Sequence, residues 1–408
     1  MAMSATTTLT TVILPPPTER ASLGYDLAPT APTGSRHPDC ESSESGWADA
    51  PILRDEGAIR CPQLSYALSP EGLYTAAKEC YKGTNWKASV ATFQLNAMER
   101  CIKLSHELTA GTYKPRPPKR FILTHPKRRE CLSVGIRDRV YQRSLCDNVV
   151  YPAMIKSLIP ANCACQKGKG TDYARQRLVK MLKRWHYHHG TDGYVLQMDI
   201  RGYYPNMHHD VALNAFKRYL DPETYERVRA ILAYQYAGEV GFVPGSQLIQ
   251  IAGIAVLDGL DHYIKEQLHV KPYVRYMDDM LCLGTREQLE HVKYAVADYL
   301  EQLGMSLHAT KTHIQPMSKP IPWLGFTYTI KPSGFVLVRC KPSKIRDSRR
   351  RLARFVKSVK SGQMPFTKAD EVAGITIRHL RKNCSGRADP AKLERYWNDI
   401  TKELRHVN

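Results

Sequence analysis

Two adjacent carboxylates, Asp278 and Asp279, stand between a strand-forming run beginning at Tyr273-Val and an apolar run, Met280-Leu-Cys-Leu, that ends at Gly284. Aromatic and β-branched residues on one side and the apolar run on the other predict a β-hairpin with both aspartates at its tip. Neighbouring carboxylates raise each other's pKa, and a divalent cation would neutralise them. Taken by itself the pair reads more simply as an Asp-Asp turn solvated by water. A third carboxylate shifts that balance. Tyr194-Val-Leu-Gln-Met-Asp-Ile200 predicts a strand with Asp199 at its exit, and two aromatics, Tyr203 and Tyr204, follow. Carboxylates brought from separate strands to one sheet edge can hold two metal ions about 4 Å apart, as in-line phosphoryl transfer requires.

The elements that must position these residues follow the spacing of apolar side chains. Val90, Met98, Cys101, Ile102, Leu104 and Leu108 form a broad helical face that Gly111 stops. Between Pro115 and Gln142 the chain turns basic and strand-like: Arg120-Phe-Ile-Leu, Lys127-Arg-Arg129, Cys131-Leu-Ser-Val and Arg137-Asp-Arg139 predict a hairpin that presents cations to a phosphate group. A helix then carries Ala174, Leu178, Met181, Leu182 and Trp185 on one side, with Arg175, Lys180, Lys183 and Arg184 largely elsewhere, where a solvated face accounts for them as well as a phosphate partner does. Gly241-Phe-Val-Pro-Gly245 makes a loop before a long helix over 246–268. Thr285 with Gln288 resembles a capping box opening a helix through Leu289, Val292, Val296, Leu300 and Leu303. Two strands follow at 321–328 and 334–338, and then helices with Ile345, Leu352, Phe355, Val356 and Val359 on an apolar side and Arg349, Arg350 and Arg351 outside.

At 408 residues and 43% hydrophobic content the chain can hold two or three domains. Its net charge of +20 is uneven: residues 1–60 hold four Arg against eight Asp or Glu, whereas residues 331–408 hold 20 Lys or Arg against seven. A basic body behind an acidic front points to a polyanionic partner, most simply nucleic acid. Thr-, Pro- and Ser-rich patches without hydrophobic periodicity make residues 1–60 a disordered tail. The 11 cysteines include no Cys-x-x-Cys pair, which argues against a disulfide framework or zinc ribbon and for a reducing compartment. The cluster His186-Tyr-His-His189 reads as a polar helix end rather than a metal site. No apolar run approaches the ~20 residues of a membrane span and no secretory leader is evident, so a cytoplasmic protein is expected.

The order of these motifs is that of a template-directed polymerase palm, and over roughly residues 70 to 360 the sequence resembles the reverse transcriptases of bacterial retroelements. Tyr276-Met-Asp-Asp279 is similar to the family's catalytic box and Met198-Asp-Ile-Arg-Gly-Tyr-Tyr204 to its first aspartate motif. Arg129 through Gln142 resembles its fingers motif, Lys311-Thr312 its Lys-Thr pair, and Trp323-Leu-Gly-Phe326 its primer-grip turn. Gln250 resembles the diversity-generating type, whereas Pro244 and Ile249 depart from that pattern and from the group II intron pattern. A phage-defence or stand-alone group II-like enzyme therefore stays open.

The resemblance implies an α+β right-hand polymerase fold: the disordered acidic tail over 1–60, fingers with a helical lead-in over 61–190, an antiparallel-sheet palm over 191–330 and a basic helical thumb over 331–408. It implies an RNA-directed DNA polymerase that uses two Mg²⁺ ions, with Mn²⁺ able to substitute, held by Asp199, Asp278 and Asp279. Asp278 is expected to be the more directly engaged of its pair. Lys127 and Arg129 would clamp the triphosphate, Tyr204 would stand against the 2′ carbon of the incoming sugar, Gln250 would lie near the nascent base pair, and Lys311 would approach the leaving pyrophosphate. Trp323, Leu324, Gly325 and Phe326 would grip the primer. The implied partners are an RNA template, a DNA or RNA primer, dNTPs and an accessory protein, with no membrane. A protein of the same fold that clamps RNA without catalysis is the rival, and it would be expected to lose carboxylates first.

Overall fold

The computed structural model describes residues 62–84, 87–124, 128–385 and 388–405. The chain divides after residue 58 into two units, and the described residues all belong to the second. The disordered tail expected over 1–60 and the triphosphate contact expected of Lys127 lie outside the described residues.

Four helices lead in: α1 (Pro62–Leu68), α2 (Pro70–Tyr81), α3 (Ala88–Leu95) and α4 (Ala97–Thr109). Ser69 caps α2 by accepting from the Gly72 amide at 3.1 Å, with Pro70 supplying the preset first turn. The apolar face of α4 is narrower than its sequence suggests. Cys101, Leu104 and Leu108 are buried, but Met98 and Ile102 are 47% and 41% exposed, because α2 is its main packing partner.

Strands β1 (Lys119–Leu123) and β2 (Arg129–Ser133) pair as the expected hairpin, Leu123 opposite Arg129. Arg137 and Arg139, expected to add to the hairpin's cations, lie instead on α5 (Ile136–Leu145) and are used internally. Arg137 pairs with Asp138 and Glu107, Arg139 donates to the Cys80 carbonyl at 3.2 Å, and buried Asp138 accepts from the Tyr113 hydroxyl at 2.8 Å and the Arg116 amide at 3.0 Å. These bonds tie the helical lead-in, and the segment that enters β1, to α5. A π turn over 146–150 carries the chain into α6 (Tyr151–Met154), and α7 (Thr171–His189) follows.

The chain then enters the sheet at β3 (Tyr194–Asp199) and leaves it for α8 (His209–Lys217) and α9 (Pro222–Gln235). The single helix expected over 246–268 is two, α10 (Gln247–Ala255) and α11 (Asp258–His262), separated at Val256 and Leu257 and closed by a π turn over 263–267. Strands β4 (Tyr273–Tyr276) and β5 (Asp279–Gly284) form the expected hairpin. Helix α12 (Arg286–Gln302) starts from Thr285, whose hydroxyl accepts from the Gln288 amide at 3.2 Å, and β6 (His313–Pro316) follows. The sheet is antiparallel with order β4-β5-β3-β6. Its two faces are both covered, as the burial of nearly every residue of β3 and β5 demands. Val195, Val274, Leu281 and Leu283 pack with Ala174, Leu178 and Leu182 of α7; Leu196, Met198, Met280 and Cys282 belong to the core that also holds Leu289, Val292, Val296 and Leu300 of α12.

Beyond it stand three strands where two were expected: β7 (Ile321–Trp323), β8 (Phe326–Ile330) and β9 (Val336–Cys340). Leu324 and Gly325, at φ 44° and 81°, reverse the chain between Trp323 and Phe326 in a two-residue turn that splits the first run. Helices α13 (Pro342–Lys360), α14 (Phe366–Asn383) and α15 (Ala388–Thr401) complete the described chain. Leu352 of α13 is buried, with Ile345, Phe355, Val356 and Val359 packed beside it as expected.

Candidate active site

Register brings the carboxylates together. In the β3–β5 ladder Val195 lies opposite Leu283, Gln197 opposite Leu281 and Asp199 opposite Asp279. Directly paired residues share a face, with Cβ atoms about 5 Å apart. This face is apolar along most of its length and ends in two facing aspartates. Asp278 is one step away: Tyr276 pairs with Asp279, so Met277 and Asp278 are the two central residues of the turn. Met277 sits at φ 57°, a left-handed backbone that glycine favours, and this strain is held at the tip of the hairpin.

A fully buried ion pair fixes that tip. Arg275 donates from Nε to Asp261 Oδ1 at 2.7 Å and from a terminal nitrogen to Oδ2 at 2.6 Å, and the Tyr273 hydroxyl donates to the same carboxylate at 2.7 Å. Its remaining donors reach the Met277 carbonyl at 3.1 Å and the Ile254 carbonyl at 3.0 Å. One guanidinium thus binds the turn at Met277 and Asp278 to α10 and α11. Sequence reasoning missed it, although a charged residue in the middle of an otherwise apolar strand was the available signal.

Repulsion and burial act on the aspartates together. Burial pushes the Asp278 carboxyl up, Asp199 adds to the shift, and Lys311 and Arg129 oppose it. Asp279 is pushed up to about 6 by burial and by the charges of Asp278 and Asp199. Lys311 donates from Nζ to Asp199 Oδ2 at 2.7 Å, and this pairing raises the lysine's pKa. Its segment is held against the exit of β3, where the His308 amide donates to the Asp199 carbonyl at 2.7 Å. Among the described residues no three His, Cys, Asp or Glu side chains already converge as a metal cage, and the Lys311 ammonium takes a cation's place on Asp199. Three carboxylates against one ammonium leave a surplus of negative charge. Hard carboxylate oxygens suit divalent Mg²⁺ or Mn²⁺.

Tyr203 and Tyr204 both address Gly253 of α10. Tyr203 is buried and donates to the Gly253 carbonyl at 2.7 Å. The Tyr204 ring lies over the Gly253 Cα, where a Cβ would meet its hydroxyl oxygen at 2.5 Å; that hydroxyl is buried and has no hydrogen-bond partner. The loop over 241–245 locks this turn in place, with the Phe242 amide donating to the Tyr204 carbonyl at 2.9 Å. At its other end the Leu132 amide of β2 donates to the Pro244 carbonyl at 2.8 Å, and a side chain on Gly245 would strike the Leu132 carbonyl. The β1–β2 hairpin is thereby seated on the loop that precedes α10.

The other expected residues fall as follows. Arg129 is exposed on the hairpin, with its charge felt at Asp278. Gln250 is exposed and lines a cavity of about 160 Å³ together with Arg143, Tyr151, Cys165 and Lys167. Cys165 in turn contacts the Met277 sulfur at 3.9 Å. Trp323 and Phe326 are buried rather than presented to a ligand; Phe326 is held between the Lys344 ammonium at 4.3 Å and the Arg175 guanidinium at 4.4 Å. Leu324 is packed on the same cluster as these rings, and Gly325 approaches the Lys344 side chain. Arg175, expected on a solvated face, is 5% exposed because it serves this stack and pairs with Asp172 and Asn383.

Residues 136–328, which run from α5 into β8 and include all three aspartates, match the family model described as reverse transcriptase (RNA-dependent DNA polymerase). That segment is similar to a reverse transcriptase domain. Helices and antiparallel strands, the four-stranded sheet among them, make up the matched segment. Comparison with curated proteins gave no match. Among solved structures the chain is similar to apo telomerase from Candida tropicalis truncated from its C-terminal domain, at 12% identity, covering 55% of each chain with a TM-score of 0.42. It is also similar to telomerase from Candida albicans in complex with a TWJ fragment of telomeric RNA, at 9% identity and a TM-score of 0.42, covering 72% of this chain and 60% of the other. The chain therefore spans little more than half the length of these two. No helix among the described residues is long and apolar enough to cross a membrane.

Proposed function

We propose that this protein extends a primer with dNTPs on an RNA template, using two divalent metal ions, Mg²⁺ in the first instance, and that it serves a bacterial or phage retroelement such as a diversity-generating one. The observation that carries the polymerase reading is the register of β3 against β5, which sets Asp199 opposite Asp279 with Asp278 in the adjoining turn. When bound, the two ions would supply Lewis-acid neutralisation of the attacking 3′ oxygen and of the leaving pyrophosphate. In this reading Asp199, Asp278 and Asp279 hold them. Arg129, with Lys127, takes the triphosphate, and Lys311, now on Asp199, reaches the pyrophosphate. Tyr204 excludes a 2′ hydroxyl, Gln250 lies beside the nascent pair, and the turn at Leu324 and Gly325 positions the primer end. The palm spans 191–330, with fingers before it and a basic thumb after it; an accessory protein would join the RNA and primer as a partner. Gln250 favours the diversity-generating class, and Pro244 and Ile249 keep a phage-defence enzyme as the second reading.

The test is extension of an annealed DNA primer on RNA by the purified chain with Mg²⁺. Template-dependent dNTP incorporation is the expected result. Absence of incorporation, or preference for rNTPs, would refute the reading.

A further inference from the structure

A cavity of about 690 Å³ lies away from the carboxylates. It opens beside Tyr273 at the start of β4, about 10 Å along the strand from the turn that holds Asp278. One wall is a stripe of α7: Arg177, Lys180, Met181, Arg184, Trp185 and His188 recur at intervals of three and four, which puts them on a single helical face. The facing wall brings Lys265 and Lys271 toward them, and no carboxylate lines the cavity. Arg177, Lys180, Arg184, Lys265 and Lys271 have no acidic partner among the described residues.

A stripe of cations on one helix is explained by solvation, but five converging from two walls are not. Convergence is opposed by repulsion: Lys265 is held below its ordinary pKa by burial first and then by the charges of Arg177 and Lys271. The same lining carries apolar and aromatic surface in Met181, Trp185 and Tyr273. The Trp185 indole is fixed by donation to the Asp192 carbonyl at 2.7 Å and lies against the His189 ring, with centroids 4.4 Å apart. Gly193 leaves room for it, since a Cβ there would meet the indole at 2.7 Å. Cations beside an aromatic side chain are complementary to an unpaired nucleotide, with phosphates on the cations and a base stacked on the indole. Cavities of about 300–1,000 Å³ accept a ligand of that size.

We propose that this cleft holds an unpaired segment of RNA outside the polymerising site. The choice of RNA rests on the polymerase reading above, in which the strand that must be unpaired is the RNA and the DNA grows within a hybrid. The test uses the full chain with its polymerising site first filled by excess annealed primer–template, and follows binding of a labelled short oligoadenylate by anisotropy across a salt titration. Lys180→Gln, Arg184→Gln and Lys271→Gln together should weaken binding and lower the log–log salt slope by about 2, given ~0.7 per phosphate contact on a single strand. A control lacking three exposed cations elsewhere, Lys183→Gln, Lys217→Gln and Arg286→Gln, should bind as the wild type does. Trp185→Ala should weaken binding on the order of tenfold, with the salt slope unchanged. Extension of a short annealed primer–template should be the same in cleft variant, control and wild type. Equal oligoadenylate binding by cleft variant and control would overturn the proposal, as would an equal or larger loss for oligodeoxyadenylate. A wild type that binds oligoadenylate through the cleft yet never extends a primer would defeat the polymerase reading alone.

Discussion

Gly253 is the residue against which the sugar-gate reading of Tyr204 can be worked most closely. Its Cβ in Gly253→Ala would lie 2.5 Å from the Tyr204 hydroxyl oxygen and 3.0 Å from the ring carbon that bears it, whereas ordinary contact begins near 3.4 Å. The ring must therefore move by roughly 1 Å, away from α10, and overpacking of this kind costs about 1–3 kcal/mol. If the ring moves into the space of the incoming nucleotide, that energy corresponds to about a five- to 150-fold loss in kcat/KM for dNTPs. Most of the clash is with one atom, so Tyr204→Phe in the same chain should recover a large part of the loss. Tyr204→Phe alone should be neutral or slightly stabilising, because it removes a buried hydroxyl that has no partner. Tyr204→Val should instead raise rNTP use about ten- to a hundredfold relative to dNTPs, with Tyr203→Phe damaging stability more than selection, since Tyr203 donates to the Gly253 carbonyl. The assay is single-nucleotide extension with each nucleotide class, alongside thermal unfolding of each variant. Wild-type kinetics in Gly253→Ala, or an identical loss with and without the Tyr204 hydroxyl, would show that the ring does not stand where the nucleotide binds.

Three further outcomes follow from the geometry. Arg275→Leu should destabilise the chain by about 3–5 kcal/mol, because it leaves Asp261 buried and unpaired, and a denaturant midpoint measures it. Asp279, raised to about 6, contributes a stability that is whole below its unfolded pKa and lost as pH rises through about 6. Asp279→Asn should accordingly raise the melting temperature at pH 8 but not at pH 4 when no divalent ion is added, and Mg²⁺ should stabilise the wild type more at pH 8 than at pH 5. In α13, Arg350 is exposed with only a 3.5 Å contact to Asp347, while Arg349 and Arg351 lean on Tyr396 and Phe355. Neutralising all three should flatten the salt dependence of primer–template binding by up to about 2.7 in log–log slope, at ~0.9 per duplex phosphate; an unchanged slope would make them a solvated face.

The parts of this structure that were legible beforehand are those governed by local periodicity. The Tyr273-to-Gly284 hairpin, the Thr285 cap and the strand ending at Asp199 follow from alternation and capping chemistry that short windows of sequence contain. What escaped depends on partners distant in sequence. Arg137 and Arg139 looked like phosphate ligands because Glu107 and the Cys80 carbonyl, which occupy them, are dozens of residues away. Arg175 looked solvated because its aromatic partner is Phe326. The helix expected over 246–268 breaks at Val256 and Leu257, where apolar content gives no stop signal. Leu324 tolerates φ 44° only because the turn between Trp323 and Phe326 imposes it. At the candidate site the strand and hairpin that carry the three aspartates could be read in advance, but not that Arg275 would brace their turn or that Gly253 would seat Tyr204.

The most direct measurement compares Asp199→Asn and Asp278→Asn with the wild type on one preparation each, scoring Mg²⁺-dependent dNTP extension on RNA beside binding of the same primer–template. The carboxylates are assigned to metal and the Lys and Arg surfaces to phosphate, so extension should be abolished in both variants while binding persists. Wild-type extension by either variant would contradict the assignment of these aspartates as the catalytic centre.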